Sequence, residues 1–179
     1  MVLPFETQSQ DADDNIVDWR ERPLTYEDFQ GSQDTTFHVY GSPAAAASAL
    51  KVSVILKSDV NQRVTASIKT IFNKSRSWIT SREAWILNHE QGHFNIEEIF
   101  ARRIRKAVKE LADKGEEDEN KFKELVNDLF QQKSKYQLQY DDETTHGFHH
   151  DDQALWDEKI KKELYDFKEF AEWGCSVNW

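Results

Sequence analysis

One cysteine, one methionine, three prolines and six glycines are all that 179 residues contain of these types. A single thiol, Cys175, excludes an intrachain disulfide and a cysteine-rich zinc module, so cysteine usage says nothing about compartment. No apolar run reaches the ~20 residues that span a bilayer; the longest, 43–56, is interrupted by Lys51. Positive charge is also short: 23 Lys and Arg face 33 Asp and Glu, a net charge of −10 and a pI near 5.1. Phosphate backbones and anionic lipid surfaces need clustered cation, so nucleic acid and membrane docking are excluded as partners. The opening Met1–Glu6 carries neither a basic segment nor a long apolar one and does not read as an export signal. Either the protein stays inside the cell or a signal has been trimmed.

What is present suffices for a core: 38% hydrophobic and 12% aromatic residues, despite a mean hydropathy of −0.80. The length suits one domain with an arm. Residues 6–18 are polar and acidic, so residues 1–18 read as a loose acidic arm and 19–179 as a single domain. Trp19 to Phe29, ending at Gly31, suggests a short strand and a turn. Apolar and β-branched residues alternate with polar ones over 49–57 and 63–72, which predicts two half-buried strands with turn material at 58–62. The period then changes. Thr80-Ser81-Arg82-Glu83 has the form of a capping box, and Trp85, His89, His93, Ile96, Phe100, Ile104, Ala107 and Leu111 recur at spacings of three and four. One long helix is predicted, stopped at Gly115. A second helix should start near Glu119 and a third near Asp152, separated by a polar stretch, 141–151, with no helical period. A small sheet followed by three helices is an α+β fold.

The chemistry concentrates in His89-Glu90-Gln91-Gly92-His93, the H-E-x-x-H pattern. Residues four apart on a helix differ by only ~40° and ~6 Å, so the two imidazoles can bind one ion. Zinc lowers the pKa of a water it holds towards ~7, and Glu90 is the expected general base. Gly92 lets another backbone approach the helix. Hydrolytic zinc takes a third protein ligand. Glu97 lies two turns from His89, too far along the axis. From His93 to about Asp113 the helix climbs ~30 Å at ~1.5 Å per residue. An antiparallel second helix therefore returns to the level of His93 at about residues 137–140. That brings 140–147 beside the metal: His146 is the expected third ligand, Asp141 and Glu143 are the fallbacks, and Tyr140 is a candidate hydrogen-bond donor to the oxyanion.

The run from Trp85 to Ile96, then Ala101-Arg102, Tyr140 to Gly147, Gln153 and Trp156, with Leu24–Gly31 and Ser77-Trp78 upstream, resembles a bacterial domain-of-unknown-function family described as predicted secreted zinc-dependent proteases. The resemblance spans roughly Trp19 to Leu164. It implies a zincin-like fold in which the N-terminal sheet packs on the active-site helix, two zinc histidines on that helix, and export to the periplasm, cell envelope or medium of a bacterium.

Blander readings stand beside these. His149 and His150 read as solvated, and the acidic run 115–119 as a turn with carboxylates suited to a helix N-terminus. The aromatics Trp85, Phe100, Phe122, Trp156 and Phe167 read as core. Trp173 and Trp179 either pack back on the body or mark a contact with another chain. The expected function is a zinc-dependent metallopeptidase acting on peptide or protein substrates, with strand 63–72 or 50–57 offering an edge for an extended chain. The alternatives are a non-catalytic zinc-stabilised binding module, in which a fourth ligand such as His149 or Asp141 closes the site, and an amidase acting on cell-wall peptides.

Overall fold

The computed structural model of the protein describes residues 14–39, 41–58, 64–171 and 175–177. Among them the strands come first: β1 (Ile16–Asp18), β2 (His38–Val39), β3 (Ser42–Pro43), β4 (Ala46–Ala47), β5 (Leu50–Ser58), β6 (Val64–Asn73) and β7 (Trp78–Ile79). Three helices follow, α1 (Ala84–Asp113), α2 (Glu119–Thr144) and α3 (His150–Asp166), and then β8 (Cys175–Val177). The fold is α+β, as the order of sequence periods predicts. Among the described residues no helix is long and apolar enough to cross a membrane.

The two long strands fall where alternation puts them. β6 is central: β5 runs antiparallel along one edge from Leu50↔Phe72 to Ser58↔Val64, while β1 and β8 share the other edge. Residues 16–18 therefore belong to the sheet and not to the predicted arm. Val17 sits opposite Phe72 and is buried. The rest of the arm that precedes residue 14, the turn residues 59–62, and Trp173 and Trp179 lie outside the described residues. The strand expected within 19–29 is replaced by a 3-10 turn at Tyr26–Asp28. There Asp28 accepts hydrogen bonds from the Thr25 amide (2.8 Å) and hydroxyl (3.0 Å), local bonds that compete with a ladder.

α1 starts at the predicted place by other means. Glu83 is its N-cap and makes no side-chain capping bond. Thr80 is drawn instead to the Ala45 carbonyl, by its amide at 2.8 Å and its hydroxyl at 3.0 Å. It extends the β4–β7 ladder, in which Ala47 opposes Trp78. Gly115, at φ +75, ends the first arm of the hairpin as expected. α2 opens at Glu119 behind Asp118, whose carboxylate accepts from the Asn120 amide at 2.9 Å.

Three contacts fix the hairpin register: His89 with Asp141, His93 with Gln137, and Glu97 with Lys133. Each step of four up α1 matches four down α2, so the helices are antiparallel. Beyond this level, Ala101, Ile104 and Val108 of α1 pack on Val52, Ala66 and Ile68 of the sheet and on Phe122 and Val126 of α2. A second cluster, Ile96, Phe100, Tyr140, Trp156 and Ile160, joins the three helices.

Between these clusters lies a buried ionic network. Glu98 accepts from Arg102 Nε (3.0 Å), Arg105 Nη1 (2.8 Å) and the Thr70 hydroxyl of β6 (2.8 Å). Arg105 also donates to the carbonyls of Ile68 and Phe170, and Arg102 to that of Leu164. One carboxylate thus bridges two guanidiniums that clamp α1 to the sheet and to the end of α3. Replacing Glu98 leaves both cations buried without their counter-charge, so Glu98→Ala is expected to lower unfolding free energy by about 3–5 kcal/mol. Urea denaturation followed by circular dichroism checks this. A loss below about 1 kcal/mol, the range of an exposed pair, would show that the network carries no such burden.

Candidate metal centre

His89 and His93 stand one turn apart on α1, facing α2. Their Nε2 atoms are 3.1 Å from each other, and Oδ1 of Asp141 lies 3.1 Å from the first and 2.9 Å from the second. These three ligand atoms form the metal-competent cluster found among the described residues. Asp141, a fallback in the sequence reading, is thus the group that α2 delivers. His146 reaches the cluster from the side, with Nδ1 3.3 Å from Asp141 Oδ1, and stands outside the compact set. Glu143 is turned away: two residues beyond Asp141 on a helix, it accepts from Trp156 Nε1 (2.9 Å) and Gln139 Nε2 (2.7 Å). His149 is exposed and pairs with Asp152 at 3.2 Å, so it closes no coordination sphere.

Two glutamines orient the imidazoles. His89 Nδ1 meets Gln153 Oε1 at 3.1 Å and His93 Nδ1 meets Gln137 Oε1 at 2.6 Å. The amide NH2 groups of both glutamines are committed elsewhere: Gln137 donates to the His93 carbonyl and Glu97, Gln153 to Tyr140 and Asp157. Their carbonyl oxygens therefore face the rings, each Nδ1 donates to its glutamine, and both Nε2 atoms face the space they share with Asp141. Outer partners of this kind fix the tautomer of a metal-binding histidine. The sequence reading gave neither glutamine a role. Gln137 was traceable as the residue one turn before Asp141, whereas Gln153 comes from another helix and carries no local signal.

Tyr140 is not the oxyanion donor. It is fully buried, its hydroxyl donates to the His89 carbonyl (3.1 Å) and accepts from Gln153 (2.7 Å), and its ring stacks on His89 at 4.7 Å. It supports the histidines from behind. Burial and the neighbouring carboxylates raise its pKa, so it stays a neutral phenol. Gly92 permits this approach: a Cβ there would meet Tyr140 Oη in hard overlap and Cζ at 2.7 Å.

The polar stretch after Tyr140 is helical to Thr144 and then turns sharply. Thr145, His146 and Gly147 all have positive φ, at 51, 52 and 84. For threonine and histidine this left-handed backbone is costly and persists where surroundings enforce it. Here the His146 amide bonds the Asp141 carbonyl (2.8 Å), the Thr144 hydroxyl bonds the Tyr140 carbonyl (2.7 Å), and the Gly147 amide bonds that hydroxyl (3.2 Å).

Charge follows geometry. Burial pulls the His93 pKa down, but the hydrogen bond and charge of Asp141, then Glu90, outweigh it and raise the pKa to about 9. Burial likewise opposes the Asp141 carboxylate, and the two imidazoles still hold its pKa well below the usual range. Two nitrogens and a carboxylate oxygen converging this closely require a shared cation, whether proton or metal. The cluster opens into a cleft of about 410 Å³ that Glu90 and Ser48 also line. The Ser48 hydroxyl donates to Glu90 Oε2. The strands bordering this cleft are the short β2, β3 and β4, not the long strands proposed to offer an edge: of β5 only Leu50 contributes, and no described residue of β6. A larger groove, about 650 Å³, lies along Asn88, Gln91 and Asn95 and includes none of the cluster.

The sequence pattern of a family described as bacterial protein of unknown function (DUF922) matches residues 25–147. Neither a curated protein nor a solved structure matches the chain.

Alanine normally exceeds glycine in a helix interior by about 1 kcal/mol. At position 92 the sign is expected to reverse, because the added methyl must displace Tyr140: Gly92→Ala should destabilise by about 1–3 kcal/mol. Chemical denaturation measures this, and a stabilised variant would disprove the close packing.

Proposed function

We propose that this chain, which belongs to the bacterial family of unknown function DUF922, is a zinc-dependent peptidase of zincin-like design. The observation that carries the reading is the convergence of two Nε2 atoms and Asp141 Oδ1 at 2.9–3.1 Å, with both Nδ1 atoms held as donors by Gln137 and Gln153. Two imidazoles and one carboxylate suit zinc in a hydrolytic site. They also suit iron(II), and what favours hydrolysis is Glu90, directly after the first histidine and open to the same cleft.

A bound zinc ion supplies Lewis acidity, polarising a carbonyl and acidifying a water. The chain's own groups do the rest. Glu90 accepts a proton as oxygen attacks the peptide carbonyl, while the Ser48 hydroxyl occupies its other carboxylate oxygen. As the C–N bond breaks, Glu90 returns that proton to the departing amine nitrogen. His146, at the rim beside Asp141, donates a hydrogen bond to the carbonyl oxygen as it gains charge. Ala46 lies between the two positions, 45 and 47, at which β4 engages β7 and its extension. Ladder alternation therefore turns its amide and carbonyl away from β7. An extended substrate strand pairs there.

Metal analysis of the purified protein is expected to give one zinc per chain; iron in its place would overturn the assignment. Gln137→Ala and Gln153→Ala should each weaken zinc about 10–100-fold in competition with a chromophoric chelator. Asp141→Ala should weaken it further, and His146→Ala should leave one zinc bound. In a peptide-library assay, Glu90→Gln is expected to retain zinc and lose at least about a hundredfold in cleavage rate. Undiminished cleavage would remove Glu90 as the base.

A further inference from the structure

Three aromatic side chains stand at the mouth of the metal cleft, and two of them are wet. Phe37 is 49% and Phe148 57% exposed, the two phenylalanines among the exposed large apolar side chains of the described residues. Phe148 packs on Trp85 with ring centroids 4.7 Å apart. Both rings are held. Trp85 lies one turn before His89 on the same face of α1, with Nε1 donating to Glu83 at 2.7 Å. Phe148 follows the left-handed corner that also carries His146. With Val39 and Pro43 across the gap, they form an apolar wall continuous with the metal ligands.

Among the described residues the same cleft is lined by no lysine and no arginine, while Glu90 and Asp141 face into it. Lys133, the cation beside it, is taken by Glu97 at 2.8 Å. Away from the metal ion itself, a substrate's acidic side chain meets Glu90 and Asp141 and no lysine or arginine among the described lining residues, whereas a bulky uncharged side chain covers exposed aromatic surface.

Resting on the peptidase reading, we infer that the enzyme is an endopeptidase whose Trp85–Phe148 wall selects a large apolar side chain beside the scissile bond. One rejected methylene-sized difference in such a pocket changes selectivity roughly tenfold or more. The experiment has two arms, both using zinc-loaded protein and peptides blocked at both ends. In the first, binding to the Glu90→Gln protein is read by fluorescence anisotropy. A peptide with central Leu or Phe should bind at least about tenfold tighter than its Ala or Asp counterpart, and Trp85→Ala or Phe148→Ala should abolish that difference while zinc content is unchanged. In the second, the unaltered protein should cleave the Leu and Phe peptides internally with the same order of preference. Equal binding of all peptides, or preference untouched by both substitutions, overturns the inference. Selective binding without cleavage counts against the catalytic reading and leaves the recognition site standing.

Discussion

The distance between α1 and α2 at Gly92 governs everything chemical in this protein. Because residue 92 has no side chain, the Tyr140 ring lies flat against His89 and its hydroxyl reaches the α1 backbone. Asp141, the next residue, is then forced to the level of both imidazoles. A carboxylate and two ring nitrogens, each costly to bury alone, are brought together by packing of their neighbours and hold one another's charge. The site is a concentration of charge held in place by shape.

The same helix manages a second concentration of charge. Glu97, Glu98, Arg102 and Arg105 are all buried on α1 and fall into two sets: Glu97 with Lys133 and Gln137 of α2, and the other three with β6 and the segment around α3. Apolar contacts tolerate sliding, whereas buried ion pairs with several hydrogen bonds do not. The network therefore sets the rotation of α1 about its axis, and with it the direction in which His89 and His93 point. Whether such pairs add net stability is a separate matter from the alignment they impose.

Much of this was legible without coordinates. The change of period at residue 80 marked α1, Gly115 marked the hairpin tip, and counting rise per residue returned α2 to the level of His93 at Gln137. Periodicity fails where the site itself disturbs the pattern. Asp141 and Thr144 face inward on α2 because they serve the centre, so the apolar period fades and a helix looks like a polar loop. Asp141 stands within that apparent loop, where the sequence offers it only as a fallback behind His146. The capping box at Thr80 lost to a ladder with β4, a contact between segments 35 residues apart in sequence that no local pattern encodes. Ser48 carried no signal for the same reason, and Gln153 was marked only by the family resemblance, with no role attached: each is brought to the centre from a distant part of the chain.

The left-handed corner after Thr144 binds several parts into one casting. Asp141, His146, Phe148 and the start of α3 with Gln153 are separated by so few residues, and so many backbone bonds, that none can shift alone. Across the cleft the situation differs: β2 and β3 are joined by two residue pairs, and Phe37 and Val39 hang from that slender ribbon. One bank of the cleft is thus fixed by its own backbone bonds, and the other rests on a ribbon of two residue pairs. A change confined to the ribbon therefore reshapes one bank of the cleft while the other keeps its shape.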